Sequence, residues 1–340
     1  FTLSTATLND LYLVLPAIEV GSCKITFEDE SGESMKTIWT ASTPLAKGTV
    51  REFKPISYKV STSNKEISLD DYEEPGVIPY QKYAKDDELK IMSFNVRTEC
   101  TESNPDNNWS NRKDACVALI KDHRPSIIGF QEADFTNQWS YIKEELKDYY
   151  GAYGVNRDNG KESGSGETMG IMYNKSVISM IEYGTFWLSE TPDVPSKGWD
   201  AACKRSCTWT KMKMKDTGKE FAYINTHLDH VGKVAQREGL ALICKRFAEI
   251  VPVGMPAFLT ADFNALTNDP IFEPLNAEMF DAREKAPETD RRATYNGFKP
   301  GGEDNADLVI DHIFYRGAEA KTFKVLRDKD YGAPFISDHY

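Results

Sequence analysis

The sequence predicts a large mixed α/β or α+β domain of about 250 residues that follows a small all-β unit. After residue 89, strand-like and helical patterns of apolar residues alternate, whereas the first 75 residues contain only short strand-like stretches. An acidic run that ends in Pro75 and Gly76 separates the two regions. We therefore expect a β-sandwich-like domain at residues 1–75, a linker at 76–88 and the main domain at 89–340.

The apolar patterns of the main domain predict its strands and helices in turn. Short, mainly apolar runs predict strands at 91–96, 126–131, 170–173, 221–226, 257–260 and 309–315. Helical spacing of apolar residues predicts helices at 112–122, 139–146 and 235–248. A polar, glycine-containing stretch at 156–166 predicts a loop. In the N-terminal region the strand candidates are 12–15, 23–27 and 56–60.

The charge balance argues against a general nucleic-acid coat. The 340 residues include 41 Lys+Arg and 53 Asp+Glu, which gives a formal net charge of −12. A local basic groove remains compatible with this balance, but the sequence-independent binding of a polycation is not. The segment richest in lysine, 211–215, alternates as one solvated face of a strand. No long uncharged apolar run is present, so no membrane span is expected.

The six cysteines do not form a CxxC pair, which favours free or structural thiols over a zinc or redox site. Cys203 and Cys207 are close enough in sequence to form a disulfide, but geometry decides whether they do. The first residue is Phe1 rather than Met, which suits a processed product. Together with the appended β unit and the even cysteine count, this favours a periplasmic, cell-surface or secreted protein, with cytoplasmic residence as the alternative.

Polar residues recur where the predicted buried strands end. The residues are Asn95, Glu132, His227, Asp229, Asp262, Asn264 and Asp311. Strands that point the same way gather such groups at one edge of a sheet, where ligands bind in folds of this kind. Each residue alone is ordinarily a turn former, a solvated charge or a structural histidine. A shared site explains all of them at once.

The motifs around these residues resemble those of the endonuclease/exonuclease/phosphatase (DNase I-like) superfamily. The motifs are Ser-Phe-Asn at Asn95, Phe-Gln-Glu at Glu132, Asn-Thr-His-Leu-Asp at His227 and Asp229, Ala-Asp-Phe-Asn at Asp262 and Asn264, Ile-Asp-His at Asp311, and Ser337-Asp338-His339. They follow the family's order across residues 89–340. The resemblance implies an α+β fold, a four-layer α/β-sandwich in which two packed β-sheets are flanked by helices.

The resemblance also implies a metal-dependent phosphoesterase that hydrolyses a phosphate mono- or diester by in-line attack of an activated water. Asp262 would act as the base and Asn264 would place the phosphate. His339, oriented by Asp311, would donate to the phosphate or stabilise its charge. His227 would donate to the scissile phosphate from the other side.

Three further expectations concern the metal and the substrate. Oxygen-rich ligation by Glu132, with Asn95 and Asp338 nearby, suits Mg²⁺ or Mn²⁺. Glu167 resembles the carboxylate that supports a site histidine in such enzymes, and a surface glutamate is its alternative. Arg157, in the predicted loop, is a candidate clamp for a second phosphate or a leaving group, and a solvated arginine is its alternative.

Within this class a small phosphate ester is favoured over long duplex DNA, because the sequence has no segment rich in Lys and Arg that could follow a nucleic-acid strand. A phospholipid substrate is also disfavoured, because no apolar hairpin for contact with a lipid surface is evident. A nuclease is the alternative among enzymes. A catalytically inactive binding module of the same fold is the alternative outside them, although the full residue set argues against it. The N-terminal region is interpreted as either an adhesion or carbohydrate-contact module or a passive spacer.

Overall fold

The computed structural model describes residues 20–28, 34–45, 88–302, 304–327 and 331–340. The chain divides into two compact units, Phe1–Asp86 and Asp87–Tyr340. Among the described residues, no helix has both the length and the apolar character needed to cross a membrane.

In the first unit the structure describes an antiparallel pair of strands, β1 (Val20–Glu28) and β2 (Ser34–Leu45). The strand predicted at 23–27 lies within β1. Outside the described residues lie the strands predicted at 12–15 and 56–60 and all of the predicted linker at 76–88 except Glu88.

The second unit contains strands and helices in mixed order. Its strands are β3 (Ile91–Asn95), β4 (Ile127–Gln131), β5 (Ala133–Asp134), β6 (Tyr150–Tyr153), β7 (Glu167–Thr168), β8 (Ile171–Asn174), β9 (Ile178–Trp187), β10 (Ser206–Met214), β11 (Glu220–His227), β12 (Ala257–Asp262), β13 (Phe280–Asp281), β14 (Glu288–Thr289), β15 (Asp311–Arg316) and β16 (Thr322–Phe323). Its α-helices are α1 (Trp109–His123), α2 (Ser140–Leu146), α3 (Lys233–Ile250), α4 (Glu273–Asn276) and α5 (Ala282–Lys285).

Four strands form the first sheet, in the order β3, β4, β8, β6. β3 and β4 run parallel with Asn95 opposite Gln131, and the other neighbours are antiparallel. Because parallel strands end at the same edge of a sheet, Asn95 and the residue that follows β4, Glu132, leave this sheet side by side.

Six strands form the second sheet, in the order β13, β15, β12, β11, β10, β9. β11 and β12 run parallel with His227 opposite Asp262. β12 and β15 run antiparallel with Asp262 opposite Asp311. The strand register therefore brings these three polar residues, which are distant in sequence, to one edge of the second sheet.

The two sheets pack face to face. Their shared core includes Ile127 and Ile171 from the first sheet, and Phe221, Tyr223 and Phe258 from the second. All five side chains are buried. This layer provides the apolar burial that holds the two sheets, and with them the two halves of the polar edge, together.

At Gly129 in β4 the two sheets approach each other closely. A Cβ atom at this position would lie 2.2 Å from Thr260 Oγ1 and 2.5 Å from Asn225 Oδ1. Asn225 bridges the interface, because its Nδ2 donates to the Phe130 carbonyl at 2.7 Å and its Oδ1 accepts from Gln131 Nε2 at 2.7 Å. The sheets are thus fixed in register by polar contacts as well as by apolar packing.

Helices cover the outer face of each sheet. α1 and α2 pack on the first sheet through Ile120 and Ile142, which share a core with Phe94 and Phe130. α3 packs on the second sheet through Leu240, Ile243 and Phe247, which share a core with Ile224 and Leu259. The order helix, sheet, sheet, helix confirms the predicted four-layer α/β-sandwich.

The cysteines whose side chains the structure describes are all free thiols: Cys100, Cys116, Cys203, Cys207 and Cys244. Cys207 is fully buried in the core beneath α3. Cys203 instead lies beside Asp229, with its Sγ 3.9 Å from Asp229 Oδ2. The disulfide that their spacing left open is therefore not formed in this structure.

Candidate active site

The first sheet contributes an amide and a carboxylate. Asn95 Nδ2 donates to Glu132 Oε1 at 3.0 Å and to Asp262 Oδ2 at 2.9 Å, so it links the two carboxylates. The backbone N–H of Thr98 donates to Glu132 Oε2 at 2.9 Å. Although burial opposes it, these hydrogen bonds from Thr98 and Asn95 lower the pKa of Glu132. Glu132 has a positive φ of 62°, an unusual backbone conformation for glutamate that is typical of functional sites.

Asp262, at the end of β12, is the centre of the cluster. It is 2% exposed. Its Oδ2 lies 2.9 Å from Asn95 Nδ2, 3.3 Å from His227 Nε2 and 3.6 Å from His339 Nε2. Burial, together with the nearby carboxylates of Asp311 and Glu132, raises the pKa of Asp262 to about 7.

His339 and Asp311 form a buried pair beside Asp262. His339 Nδ1 lies 2.8 Å from Asp311 Oδ2. Burial alone would lower the pKa of His339, but the Asp311 carboxylate and the other acidic groups raise it to about 10. The ring of Tyr295 packs edge-on against His339, with 5.0 Å between the ring centroids. The imidazole of His339 is therefore positively charged at neutral pH and fixed in orientation.

His227 lies on the other side of Asp262, beside Asn264. His227 Nε2 is 3.0 Å from Asn264 Nδ2, and its Nδ1 is buried without a hydrogen-bond partner. Burial and the guanidinium groups of Arg205 and Arg157 hold the pKa of His227 well below its usual range. This histidine is therefore neutral, in contrast to His339.

Asn264 is held by the backbone around Asp262. Its own N–H donates to Asp262 Oδ1 at 2.9 Å, and its Nδ2 donates to the Leu228 carbonyl at 3.1 Å. Asn264 has a positive φ of 49°. Asparagine tolerates this left-handed conformation better than most residues, and the turn aims its side chain at His227.

Asp338 lies at the rim of the cluster. Its Oδ1 is 3.9 Å from His339 Nε2, and its Oδ2 is 3.8 Å from Arg97 Nε. Burial raises the pKa of Asp338. Ser337 ties this segment to the first sheet, because its hydroxyl donates to the Asn95 carbonyl at 2.6 Å.

Sequence reasoning missed two arginines that shape the site. Arg97 follows Asn95 by two residues, its Nε donates to Glu102 Oε1 at 2.8 Å, and it approaches Asp338. Arg205 at the start of β10 contacts Asp229 at 3.3 Å. The proximity of Arg97 to the Asn95 motif was an available signal, whereas no local pattern marked Arg205.

A group of three side chains offers donor atoms that can hold a metal ion. One atom each from Glu132, Asp262 and His339 lies within 4.8 Å of the other two. This set differs from the predicted ligands Glu132, Asn95 and Asp338. Asn95 turns its Nδ2 towards the carboxylates while its Oδ1 accepts from the Arg97 N–H at 2.9 Å, so it bridges the acids as a donor.

Arg157 and Glu167 contact each other. Arg157 NH2 donates to Glu167 Oε1 at 2.9 Å, and NH1 contacts the other carboxylate oxygen, which makes a two-bond ion pair. Arg157 is only 9% exposed, so it is not a solvated loop arginine. The Glu167 side chain is 15% exposed and its carboxylate contacts Arg157, while His227 Nδ1 has no hydrogen-bond partner, so Glu167 does not support His227 in this structure.

Comparison with known proteins identifies the family. Residues 92–339 match the Endonuclease/Exonuclease/phosphatase family, and the chain belongs to it. An uncharacterised protein of Acanthamoeba polyphaga mimivirus is 27% identical over 273 residues, which cover 74% of this chain and 97% of that protein. The match to the family model confirms the resemblance found in the motifs.

Two solved structures from Bacteroides thetaiotaomicron are also similar. A mannosyl-6-phosphatase is 34% identical with a TM-score of 0.67, over 74% of this chain and 97% of that one. An endonuclease/exonuclease/phosphatase family protein is 36% identical with a TM-score of 0.68, over 74% of this chain and 94% of that one. The part of the chain that aligns is comparable in length to the second unit.

Proposed function

We propose that this protein is a metal-dependent phosphoesterase that hydrolyses a small phosphate ester by in-line attack of a water. The observation that carries the proposal is the position of Asp262. A buried carboxylate with a pKa near neutrality contacts an amide, a neutral histidine and a charged histidine. A base, hydrogen-bond donors and a fixed positive charge are the groups that phosphate ester hydrolysis requires.

The donor chemistry of the site fits a hard divalent cation. Four acidic side chains, those of Glu132, Asp262, Asp311 and Asp338, surround one charged imidazole, so the cluster has an excess of negative charge. Glu132, with Asn95 and Asp338 nearby, would hold Mg²⁺ or Mn²⁺ and leave Asp262 free to act as the base. When bound, such an ion neutralises charge that develops on the phosphate oxygens.

The remaining catalytic roles are assigned to side chains of the site. Asp262 accepts a proton from the attacking water, and its raised pKa suits a base that works near neutral pH. Asn264 would place the phosphate. Neutral His227 has a single N–H, and to donate it to the phosphate its Nε2 must carry the proton and turn away from Asn264 Nδ2, which lies 3.0 Å away. His339, oriented by Asp311, faces the phosphate from the opposite side and stabilises its negative charge.

A sugar phosphomonoester is the substrate class to test first. The structure that is 34% identical over nearly its full length carries the name mannosyl-6-phosphatase. The net charge of −12 also disfavours a long polyanion. A nuclease and an inactive binding module are the alternatives that the experiment separates from this proposal.

The experiment measures hydrolysis of mannose 6-phosphate, an inositol phosphate, a phospholipid, single-stranded RNA and duplex DNA, each with Mg²⁺ and with EDTA. We expect Mg²⁺-dependent release of phosphate from a small monoester. Asp262→Asn should lower kcat by about 10²–10⁴ because it removes the base. Its melting temperature should be maintained, since the variant removes a carboxylate whose charged form burial disfavours.

The matched control is Asp281→Asn. Asp281 is also a buried aspartate that contacts a histidine, with 3.0 Å between its Oδ2 and His312 Nδ1, but it lies outside the site. Its variant should retain kcat. Hydrolysis of nucleic acid alone would favour the nuclease, and silence on every substrate with a folded, metal-loaded protein would favour the binding module.

A further inference from the structure

The Arg157–Glu167 pair is built into the edge of the candidate site. β7 pairs with β5 so that Glu167 lies opposite Asp134, two residues after Glu132. The Arg157 N–H donates to the Glu167 carbonyl at 2.8 Å. The indole N–H of Trp187 donates to the Arg157 carbonyl at 2.6 Å. The backbone thus fixes both members of the pair close to the proposed metal ligand Glu132.

The Arg157–Glu167 pair has hydrogen-bond donors and acceptors that the ion pair itself does not use. A guanidinium group has five N–H donors, and Glu167 occupies one on each terminal nitrogen. The Nε of Arg157 is buried and has no partner. Each oxygen of Glu167 keeps a further acceptor position. The side chains of Arg157 and Glu167 are 11% and 15% exposed, so the pair is largely but not wholly shielded from solvent.

A neighbouring hydroxyl group matches this capacity better than a second phosphate does. A hydroxyl both donates and accepts, so it can bond to a carboxylate and a guanidinium together. A phosphate dianion has only acceptors, and beside Arg157 it would meet the Glu167 carboxylate. Burial raises the pKa of Glu167, and the guanidinium group of Arg157 opposes this shift.

The other arginines around the site are also neutralised by acids. Arg205 Nε lies 3.3 Å from Asp229 Oδ2, and Arg97 Nε lies 2.8 Å from Glu102 Oε1. None of these three arginines offers an uncompensated positive charge to a second phosphate. A buried ion pair is in itself weak evidence for stability, so the Arg157–Glu167 pair needs another explanation for its place beside the site.

We propose that the Arg157–Glu167 pair is a subsite for the alcohol portion of the substrate, which it binds through the hydroxyl groups of a neutral polyol. The substrate then carries a single phosphate, because the paired charges recognise hydroxyl groups and disfavour a second anion. This inference rests on the proposed phosphoesterase function. It replaces the expectation that Arg157 clamps a second phosphate.

The test compares kcat/KM for mannose 6-phosphate, phenyl phosphate and glucose 1,6-bisphosphate, with Mg²⁺, in the full chain. The wild type should prefer mannose 6-phosphate to the other two. In Glu167→Gln the kcat/KM for mannose 6-phosphate, divided by the kcat/KM for phenyl phosphate, should fall by about tenfold or more. The reason is that the buried polar pair no longer matches the hydroxyl groups of the sugar. Relative use of the bisphosphate should rise, because Arg157 is left without its carboxylate.

Arg157→Lys is the second variant, since lysine keeps the charge but loses the two-bond geometry, and the same ratio should fall. The matched control is Asp290→Asn, which removes the carboxylate of another arginine–aspartate pair. In that pair, which lies outside the site, Arg292 Nε donates to Asp290 Oδ2 at 2.8 Å. The control should keep the wild-type ratio. Melting temperatures of all variants establish that they are folded.

The outcomes separate the subsite from the underlying function. A wild-type preference for phenyl phosphate or for the bisphosphate would overturn the subsite, and so would ratios that stay constant in both variants while phosphate is released. Absence of Mg²⁺-dependent hydrolysis of any phosphoester would overturn the proposed function and the subsite with it.

Discussion

His312 and His339 each contact an aspartate, yet only His339 lies in the candidate site. His312 Nδ1 is 3.0 Å from Asp281 Oδ2 and its Nε2 is 3.2 Å from the Ala265 carbonyl, so both ring nitrogens have partners within the core. His339 also contacts an aspartate, Asp311, but its Nε2 faces Asp262. Asp311 and His312 are adjacent in β15 and therefore point to opposite faces of the sheet, which separates a site residue from a structural one.

Asp311→Asn should shift the pH dependence of catalysis. In the wild type the pKa of His339 is raised to about 10, chiefly by Asp311 once the opposing effect of burial is overcome. Loss of that carboxylate lowers the pKa, so the imidazole loses its proton at a lower pH. The alkaline limb of kcat/KM should move about 1–3 pH units lower, as measured by pH–rate profiles.

Asp281→Asn is the control for this prediction as well, because it breaks the other aspartate–histidine pair. Its pH–rate profile should coincide with that of the wild type. Equal shifts in the two variants would contradict the assignment of the alkaline limb to His339.

Arg112 is a buried residue that joins the two halves of the site. Its Nε donates to the Asn107 carbonyl at 2.6 Å, its NH1 to those of Val96 at 3.0 Å and Ile336 at 2.7 Å, and its NH2 to that of Arg97 at 3.2 Å. These bonds tie the segment after Asn95 to the segment before Asp338 and His339. Arg112 thus acts on the site through the backbone and not by direct contact.

Arg112→Met should lower the free energy of unfolding by about 3 kcal/mol, because it leaves several buried carbonyl groups without a donor. Urea denaturation measures this loss, and kcat of the folded fraction should fall as well. Arg112→Lys restores one donor group and should recover part of both. Unchanged stability in the methionine variant would show that water satisfies these carbonyl groups.

At the level of elements, the contact between the sheets depends on Gly129. Gly129→Ala places a Cβ atom 2.2 Å from Thr260 Oγ1 and 2.5 Å from Asn225 Oδ1, so these hydrogen-bonded side chains or β4 itself must shift. We expect a loss of about 3 kcal/mol in unfolding free energy, since overpacking of a tight interface is costly. Activity should also fall, because the two sheets carry separate halves of the site.

Gly239→Ala in α3 is the matched control. A Cβ there has its nearest neighbour, Leu188 Cδ1, at 3.4 Å, so it fits. Alanine is the better helix former by about 1 kcal/mol, and stability should hold or rise. Thermal unfolding of both variants provides the comparison, and equal losses would contradict the packing argument.

The sequence predicted most of the central elements but missed β9. Strands predicted at 126–131, 221–226 and 257–260 correspond to inner strands that are almost wholly buried, and their continuous apolar runs were clear signals. The strand predicted at 91–96 corresponds to β3, an edge strand of the first sheet with alternate residues buried. β9 is an edge strand in which Ile181 is 45% and Tyr183 is 55% exposed. Its mixed pattern carries no single-face signal, because an edge strand depends on its neighbour for its conformation.

The loop predicted at 156–166 is more ordered than its composition suggested. Asn156 Nδ2 donates to the carbonyl groups of Gly164 at 2.9 Å and Ser165 at 2.7 Å, and the Asn156 N–H donates to the Lys161 carbonyl at 2.9 Å. One buried asparagine therefore closes the loop on itself. This closure supports the pairing of Arg157, which lies within the loop, with Glu167, which follows it.

On the scale of the whole molecule, every residue of the candidate site belongs to the unit Asp87–Tyr340, which has its own core. A protein made of this unit alone should fold and hydrolyse the same substrate, with kcat/KM within about threefold of the full chain. Activity assays and thermal unfolding of both forms check this. Loss of activity in a folded, isolated unit would assign the residues before Asp87 a part in substrate binding.

The sequence by itself determined the class of fold, the central strands, and the residues that meet at one edge of the sheets. Asn95, Glu132, His227 and Asp262 were identifiable because they lie where buried strands end, and strand ends are visible in local patterns of apolar and polar residues. Asp311 instead begins β15 and reaches the same edge because β15 runs antiparallel to β12.

The tertiary structure decided which side chains contact one another. It paired Glu167 with Arg157, left Cys203 and Cys207 as separate thiols, and placed Asn95 as a bridge between two acids. Such partners depend on strand register, on which face of a sheet a residue occupies and on how closely two sheets approach. These are properties of distant segments brought together, and no local pattern in the chain records them.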